Sequence, residues 1–513
     1  MDTFDYIVIG AGSSGCVLAA RLSEDPAASV LLLEAGGADS NPDIHVPANA
    51  WNVWMTADDW GYLTVPQAGA ANRSLYIPRG KVFGGSSSLN AMIYIRGNPT
   101  DYDTWAYLGN PGWDYAGVLP YFKKSEDYAG GANAYHGAGG PLAVSRITPS
   151  PLTEAFIEAA VATGFARNDD FAGASTLGVG PCDLTVRDGK RWSTAAAFLR
   201  PALARPNLTV LTGARAGRLV LHNGRCRGVE YTRGGVREAA SASTEVIVCA
   251  GAIASPQLLL LSGIGDPAHL AEVGIPCAAD LRGVGQNLQD HVLTFIVHEA
   301  AQPIPPARNN ILEAHLFGKS DPRLIGPDHQ PLFMNNAPPL PTIEIPPNSY
   351  ALAPGMIRPA ARGEIRLTAN DPDAPLHIDP RYLSTEADVR ALLYSLEVSR
   401  EIMHAAPLDA WRKREIAPAT TRGEWRAYVR ATCETYHHAA GTCKMGVDAE
   451  SVVDPELRVH GIAGLRVADA SIMPTVVSGN TNAPSIMIGE KAADLVRAAR
   501  RAPAPDLSLA APA

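Results

Sequence analysis

The 513-residue chain is 46% hydrophobic and 19% charged, enough apolar material for large cores spread over two or more domains. Its net charge of -9, with Lys and Arg scattered along the chain, leaves no basic face for nucleic acid or an anionic membrane. The seven cysteines form no CxxC pair and are odd in number, so reduced thiols are expected; with no leader-like segment before the first apolar run and no run long enough to span a bilayer, the expectation is a cytoplasmic protein.

The first forty residues contain DYIVIGAGSSGCVLAARLSEDPAASVLLLEAGG. An apolar run, Tyr6 to Ile9, enters Gly10, Gly12 and Gly15 at GxGxxG spacing; an amphipathic stretch, Cys16 to Leu22, leads to a second apolar run that ends at Glu34. This is the strand, glycine turn, helix and strand of a dinucleotide-binding unit. Gly10 permits the tight turn, Gly12 lets backbone approach a pyrophosphate, and Gly15 lets helix and strand pack closely. Glu34 stands where an acid bonds the adenosine ribose. This stretch alone does not distinguish NAD from FAD.

After a loop-like stretch through Trp60 comes SLYIPRGKVFGGSSSLNAMIYIRG, residues 74–97, whose small residues suit either a phosphate or flavin-ring contact or a surface loop. Helical and aromatic segments follow from Asp101 to about Lys190. Strands then return, with Asn223-Gly224 as a hairpin turn and the run Val246 to Cys249 feeding a helix through Ala250-Gly251. A Pro- and Asn-rich stretch, residues 292–359, precedes a helix whose buried face is predicted at Val389, Leu392, Leu393 and Leu396. The last hundred residues hold TYHHAAGTCKMG and a final helix. Asn482 is predicted to cap that helix, with Pro484 in its first turn and Arg497, Arg500 and Arg501 near its C-terminal end. No zinc-type Cys/His spacing and no GxSxG elbow is present, so no metal ligands are expected and acyl transfer is disfavoured.

Four separated motifs resemble the glucose-methanol-choline (GMC) oxidoreductases, flavoproteins that oxidise alcohols with FAD. They are the N-terminal fingerprint with Glu34, GKVFGGSSSLNAMIY at 80–94, GAIASPQLLLLSGIG at 251–265, and HHAAGTCKMG with ADASIMPTVVSGNTN. The texture is similar to bacterial choline-, sorbose- and polyethylene-glycol-dehydrogenase-like members and to hydroxymethylfurfural-oxidase-like members. The resemblance implies an α/β fold with a Rossmann-type FAD-binding domain and a substrate-binding domain built on an antiparallel sheet flanked by helices. The expected division is residues 1–100, 190–291 and 436–500 for FAD, 101–189 and 292–435 for substrate, and a flexible tail at 501–513.

The resemblance also implies the FAD contacts: Gly10, Gly12, Ser13, Ser14, Gly15, Glu34 and Ala35 at the adenosine end; Arg79, Gly80, Gly84, Gly85, Asn90 and Met92 along pyrophosphate and flavin; Ala216 by backbone near the adenine; and Asp469, Ala470 and Asn482. Arg79 could instead be an ordinary surface arginine. Phe83 stands where an aliphatic residue is more usual, and Ala216 replaces a more usual valine. Leu89 occupies the place where some members carry a histidine bonded to the flavin, so a non-covalent FAD is expected. The segment between Asp290 and Pro359 is short for the family, and it shapes the substrate pocket.

Alcohol oxidation needs a hydride acceptor, a base for the hydroxyl proton and a donor to hold the oxygen. Histidine suits the base, and His437 and His438 flank a glycine turn. If that stretch is extended, only one of the two points at substrate. The resemblance selects His438, three residues before Gly441, and leaves His437 as pocket wall or support. It places Asn480 where a second His or Asn faces the substrate oxygen. The expected partners are an alcohol and an electron acceptor, either a quinone or oxygen. Retention of both His438 and Asn480 argues against an FAD-containing lyase or a non-catalytic flavoprotein.

Overall fold

The computed structural model describes residues 2–306, 310–341 and 343–501. Of the expected tail at 501–513, Arg501 ends the final helix and residues 502–513 lie outside the described ones. One sheet carries the opening fingerprint. Strand Asp2–Ile9 lies parallel to Val30–Leu33 on one side and to Val236–Val248 on the other, and Leu208–Leu211 and Leu465–Val467 extend the parallel set. YIVI and VLLL are continuous apolar runs because both faces of such a sheet are covered. Strand Val236–Val248 does two jobs. Its second half lies in the parallel set, and its first half pairs antiparallel with Arg225–Arg233, which pairs with Ala214–His222. The turn between those two strands is Asn223-Gly224, both at positive φ (49° and 70°), the backbone that an Asn-Gly hairpin turn requires.

Helix Ser13–Leu22 packs along the final helix, Asn482–Arg501, and the two are joined by Arg21 to the fully buried Glu490 at 2.7 Å. Residues from the middle of the chain complete this core: Tyr102, Trp105, Trp113, Phe122 and Leu142 pack into it, whereas Leu152 and Phe156 belong to the second core.

The second core is built on a six-stranded antiparallel sheet in the order Arg412–Ala417, Ile296–Ala300, Ser349–Ala353, Leu332–Met334, Leu312–Phe317 and Gly178–Pro181. Helices Pro151–Ala162 and Glu386–His404 pack on it. In the second helix Val389, Leu392 and Leu396 are buried as predicted, and Leu393 is half-buried beside them. Strand alternation sorts the sheet's two faces: Phe333 stacks on Phe156 at 4.5 Å, while Leu332 and Met334 turn the other way, into a cavity.

Candidate active site

That cavity, of about 690 Å³, runs from the end of the parallel sheet to the face of the antiparallel one. Its first end is lined by Gly10, Gly12, Ser13, Ser14, Glu34, Ala35 and Ala216. Gly10 has φ +101° and a Cβ there would meet the Cys249 carbonyl oxygen at 2.6 Å. Gly12 begins helix Ser13–Leu22 with no side-chain cap, so the unpaired N–H groups of the first turn are left for an anion. The Glu34 carboxylate accepts from the N–H groups of Ala11 and Gly36, both at 2.8 Å, and burial pushes its pKa up to about 7.

Along the middle of the cavity lie Arg79, Gly80, Gly85, Asn90, Met92, Asp469, Ala470 and Asn482. Arg79 is no ordinary surface arginine: its Nη2 is buried without a partner, and burial lowers its pKa. Asn90 is held by Arg191, whose Nη1 donates to Asn90 Oδ1 at 2.7 Å, and Met92 adopts left-handed backbone at φ +62°. Asp469 spends its oxygens on the protein, accepting from the N–H groups of Gly251 and Ser471 at 2.8 Å and from Ser255 Oγ at 2.5 Å. It therefore holds the start of helix Gly251–Leu261 in place at the cavity edge.

Two of the expected FAD contacts, Gly15 and Gly84, do not line the cavity. A Cβ on Gly15 would sit 1.8 Å from the Gly10 oxygen, so its role is helix-to-strand packing, and Gly84 donates its N–H to the Ala11 oxygen at 2.8 Å, pinning one glycine loop to the other. Asn482 is the first residue of its helix, and its Oδ1 accepts from Ser13 Oγ at 2.7 Å, which ties two helix N-termini together. Leu89 is buried at the cavity wall.

The far end of the cavity holds His438 and Asn480. Gln330 Nε2 donates to Asn480 Oδ1 at 3.2 Å, which turns the amide so that Asn480 Nδ2 donates to His438 Nε2 at 3.1 Å. Because Nε2 accepts, the ring proton is on Nδ1, which lies 2.9 Å from Nδ1 of His291. The tautomer of His438 thus leaves its unprotonated nitrogen facing Asn480. The backbone N–H of His438 donates to Asp290 Oδ1 at 2.8 Å, and Asp290 Oδ2 accepts from Tyr382 Oη at 2.5 Å. Burial, the neighbouring imidazoles of His291 and His437, and the Arg79 guanidinium hold the His438 pKa well below the ordinary histidine value.

His437 departs from the expected alternation. Its backbone is left-handed, φ +66°, so both neighbouring histidines line the same cavity, with the His437 ring edge-on to Trp54 at 4.9 Å. The sequence reading singled out neither His291, Asp290 nor Arg191. His291 lies 147 residues before His438, with no local pattern to mark it. Elsewhere His298, His404 and Glu415 also converge, but Glu415 already accepts from His404 at 2.7 Å and from Arg400 at 2.9 Å, so its charge is neutralised in an ion-pair network. Among the described residues no helix is long and apolar enough to cross a membrane.

A glycine cradle and an uncapped helix at one end of a cavity, with a histidine–amide pair at the other, define a nucleotide-cofactor-dependent oxidoreductase. The residues fit FAD: the uncapped N–H groups at the start of helix Ser13–Leu22 would hold a diphosphate, and the bare Nη2 of Arg79 would donate to an anionic or carbonyl oxygen of the cofactor. Family models described as GMC oxidoreductase match residues 4–293 and 359–489, and the chain belongs to that family of FAD-dependent enzymes acting on CH–OH donors. It is 43% identical to the mitochondrial choline dehydrogenase of Homo sapiens over 97% of this chain and 90% of the relative. It is also 43% identical to an oxygen-dependent choline dehydrogenase of Sinorhizobium fredii, over 96% and 95% of the two chains. The solved structure of pyridoxine 4-oxidase from Mesorbium loti superposes with TM-score 0.93 at 37% identity, covering 96% of this chain and 98% of that one.

Proposed function

We propose that the protein oxidises a primary alcohol to an aldehyde, with a dissociable FAD, His438 as base and Asn480 as the donor that holds the oxygen. FAD, when bound, supplies the hydride acceptor. The observation that carries this reading is the shared corner made by His438 Nε2 and Asn480 Nδ2, 3.1 Å apart on the cavity wall. A hydroxyl oxygen at an ordinary hydrogen-bond length of about 2.9 Å from both atoms closes a nearly equilateral triangle. The hydroxyl replaces the direct Asn480–His438 bond: its proton takes the single Nε2 lone pair, and the released amide N–H donates to the oxygen as it gains negative charge. The His291 contact keeps the receiving ring from rotating. The carbinol carbon loses a hydride, the oxygen loses a proton to His438, and the product is RCHO.

Leu89 offers no nucleophile for a flavin bond, which supports non-covalent FAD. A quinone or other organic acceptor removes the two electrons and closes the cycle. Oxygen as acceptor, giving hydrogen peroxide, is the second reading, favoured by the likeness to the oxygen-dependent choline dehydrogenase of Sinorhizobium fredii and to pyridoxine 4-oxidase from Mesorbium loti. The test is anaerobic mixing with benzylic, heteroaromatic, aliphatic and polyol alcohols. Loss of the oxidised-flavin absorbance is the expected result; a flavin that stays oxidised across the panel rejects the proposal. Readmission of air to the reduced protein, with and without a quinone, separates the acceptors.

A further inference from the structure

The apolar part of the cavity wall carries a chemical signature of its own. Trp51 and Trp54 meet edge to face at 4.5 Å, and Phe295, Leu312, Leu332 and Met334 continue the apolar surface. Aromatic walls of this kind take either a planar ring or a quaternary ammonium group. The charges decide between them. Among the described residues three carboxylates line the cavity, and each already has partners in the protein: Glu34 two backbone N–H groups, Asp469 Gly251, Ser255 and Ser471, and Glu434 the guanidinium of Arg73 at 2.7 Å. No lining carboxylate among the described residues is without a partner to receive a substrate cation, while the Arg79 guanidinium, with its bare Nη2, acts electrostatically on both His437 and His438.

His437 supplies what the wall otherwise lacks. Its Nδ1 is buried without a hydrogen-bond partner, although the ring lines the cavity and is fixed against Trp54. Burial and Arg79 hold it neutral, with a pKa down to about 3. A neutral imidazole both donates and accepts, so it satisfies itself with an uncharged polar group and gains nothing from a trimethylammonium, which offers neither a donor nor an acceptor. Left-handed backbone at a non-glycine residue is uncommon, and here it is what brings this ring to the substrate side.

On the reading that this cavity oxidises alcohols, we infer that His437 is a specificity-determining residue that hydrogen-bonds an uncharged polar substituent or ring heteroatom of an aromatic primary alcohol. The site then selects such an alcohol over a quaternary-ammonium alcohol such as choline, despite the 43% identity to choline dehydrogenases.

Anaerobic flavin reduction in the FAD-loaded protein reads this directly. Para-hydroxybenzyl alcohol and a pyridylmethanol are expected to exceed benzyl alcohol in the reduction rate constant divided by Kd by at least about tenfold, the size of one satisfied buried polar group. His437→Leu is expected to erase that ratio, and His437→Gln, which keeps donor and acceptor, to restore part of it. In the unsubstituted protein, the neutral isostere of choline with tert-butyl in place of trimethylammonium is expected to match or exceed choline. Choline outrunning its isostere overturns the inference, as does a ratio that survives in His437→Leu. Should leucine at the left-handed backbone fail to retain FAD, the comparison of choline with its isostere decides. Failure of every alcohol to bleach the flavin rejects the alcohol-oxidation reading itself, an outcome distinct from the wrong rank order.

Discussion

The imidazole of His438 is poised by three contacts that leave one nitrogen free of protons: His291 at Nδ1, Asn480 at Nε2 and Asp290 on its backbone N–H. Its surroundings disfavour the imidazolium, so its pKa lies well below the ordinary value. A base acts in its unprotonated form, and lowering the pKa extends that form to more acidic solution. The rate of flavin reduction by a saturating alcohol is therefore expected to stay flat as pH falls through 6.5, where an unperturbed histidine loses half its base form. His438→Ala is expected to keep FAD bound and to slow reduction by at least about 100-fold. A sharp acid limb near the ordinary histidine value, or near-normal reduction in the variant, removes His438 from the role.

The strand–glycine–helix unit shows how short-range rules build one end of the site. Gly10 at φ +101° turns the chain, and Gly15 lets the helix approach within a distance that no side chain permits. A Cβ at Gly15 would lie 1.8 Å from the Gly10 oxygen, in the turn that follows strand Asp2–Ile9, which cannot move away without reshaping that turn. Gly15→Val is expected to destabilise the protein by about 3 kcal/mol or more, at the upper end of overpacking costs, and to lower FAD occupancy, read by thermal melting and by flavin absorbance after purification. Unchanged melting and full occupancy would show that the helix docks differently. The final helix adds to the same unit, because Asn482 bonds Ser13 and Glu490 bonds Arg21, so its packing and the cofactor end of the cavity stand together.

Across the whole molecule, two cores face one another over the cavity, and the Glu34 carboxyl links folding to pH. Its pKa rises from 4.5 to about 7 on burial. An acid with a raised folded pKa contributes stability that is fully present below its unfolded pKa and is lost as pH rises through the folded one. For protein stripped of FAD, the shift corresponds to roughly 3 kcal/mol lost between about pH 4.5 and pH 7.5. Glu34→Gln is expected to flatten that part of the profile in urea or thermal unfolding, and to weaken FAD binding as well. An identical pH profile in the variant would assign the dependence to other groups.

Much of this architecture is legible in the residues because it rests on local physics. Continuous apolar runs mark strands covered on both faces, Asn223-Gly224 marks a hairpin, and Gly10, Gly12 and Glu34 mark a cofactor end, since each depends on neighbours within about thirty residues. The pair His437 and His438 stands out in the sequence before a glycine turn, but the choice of His438 between them, and Asn480, came only through motif resemblance. What the sequence could not determine are contacts between segments far apart in the chain: His291 against His438, Arg191 against Asn90, and the packing of Tyr102 and Phe122 with the parallel-sheet core. His437 is the sharpest case. Alternation along an extended strand would turn it away from the cavity, but its backbone is left-handed, in a segment held by Asp290, and only the assembled chain brings its ring to the cavity wall.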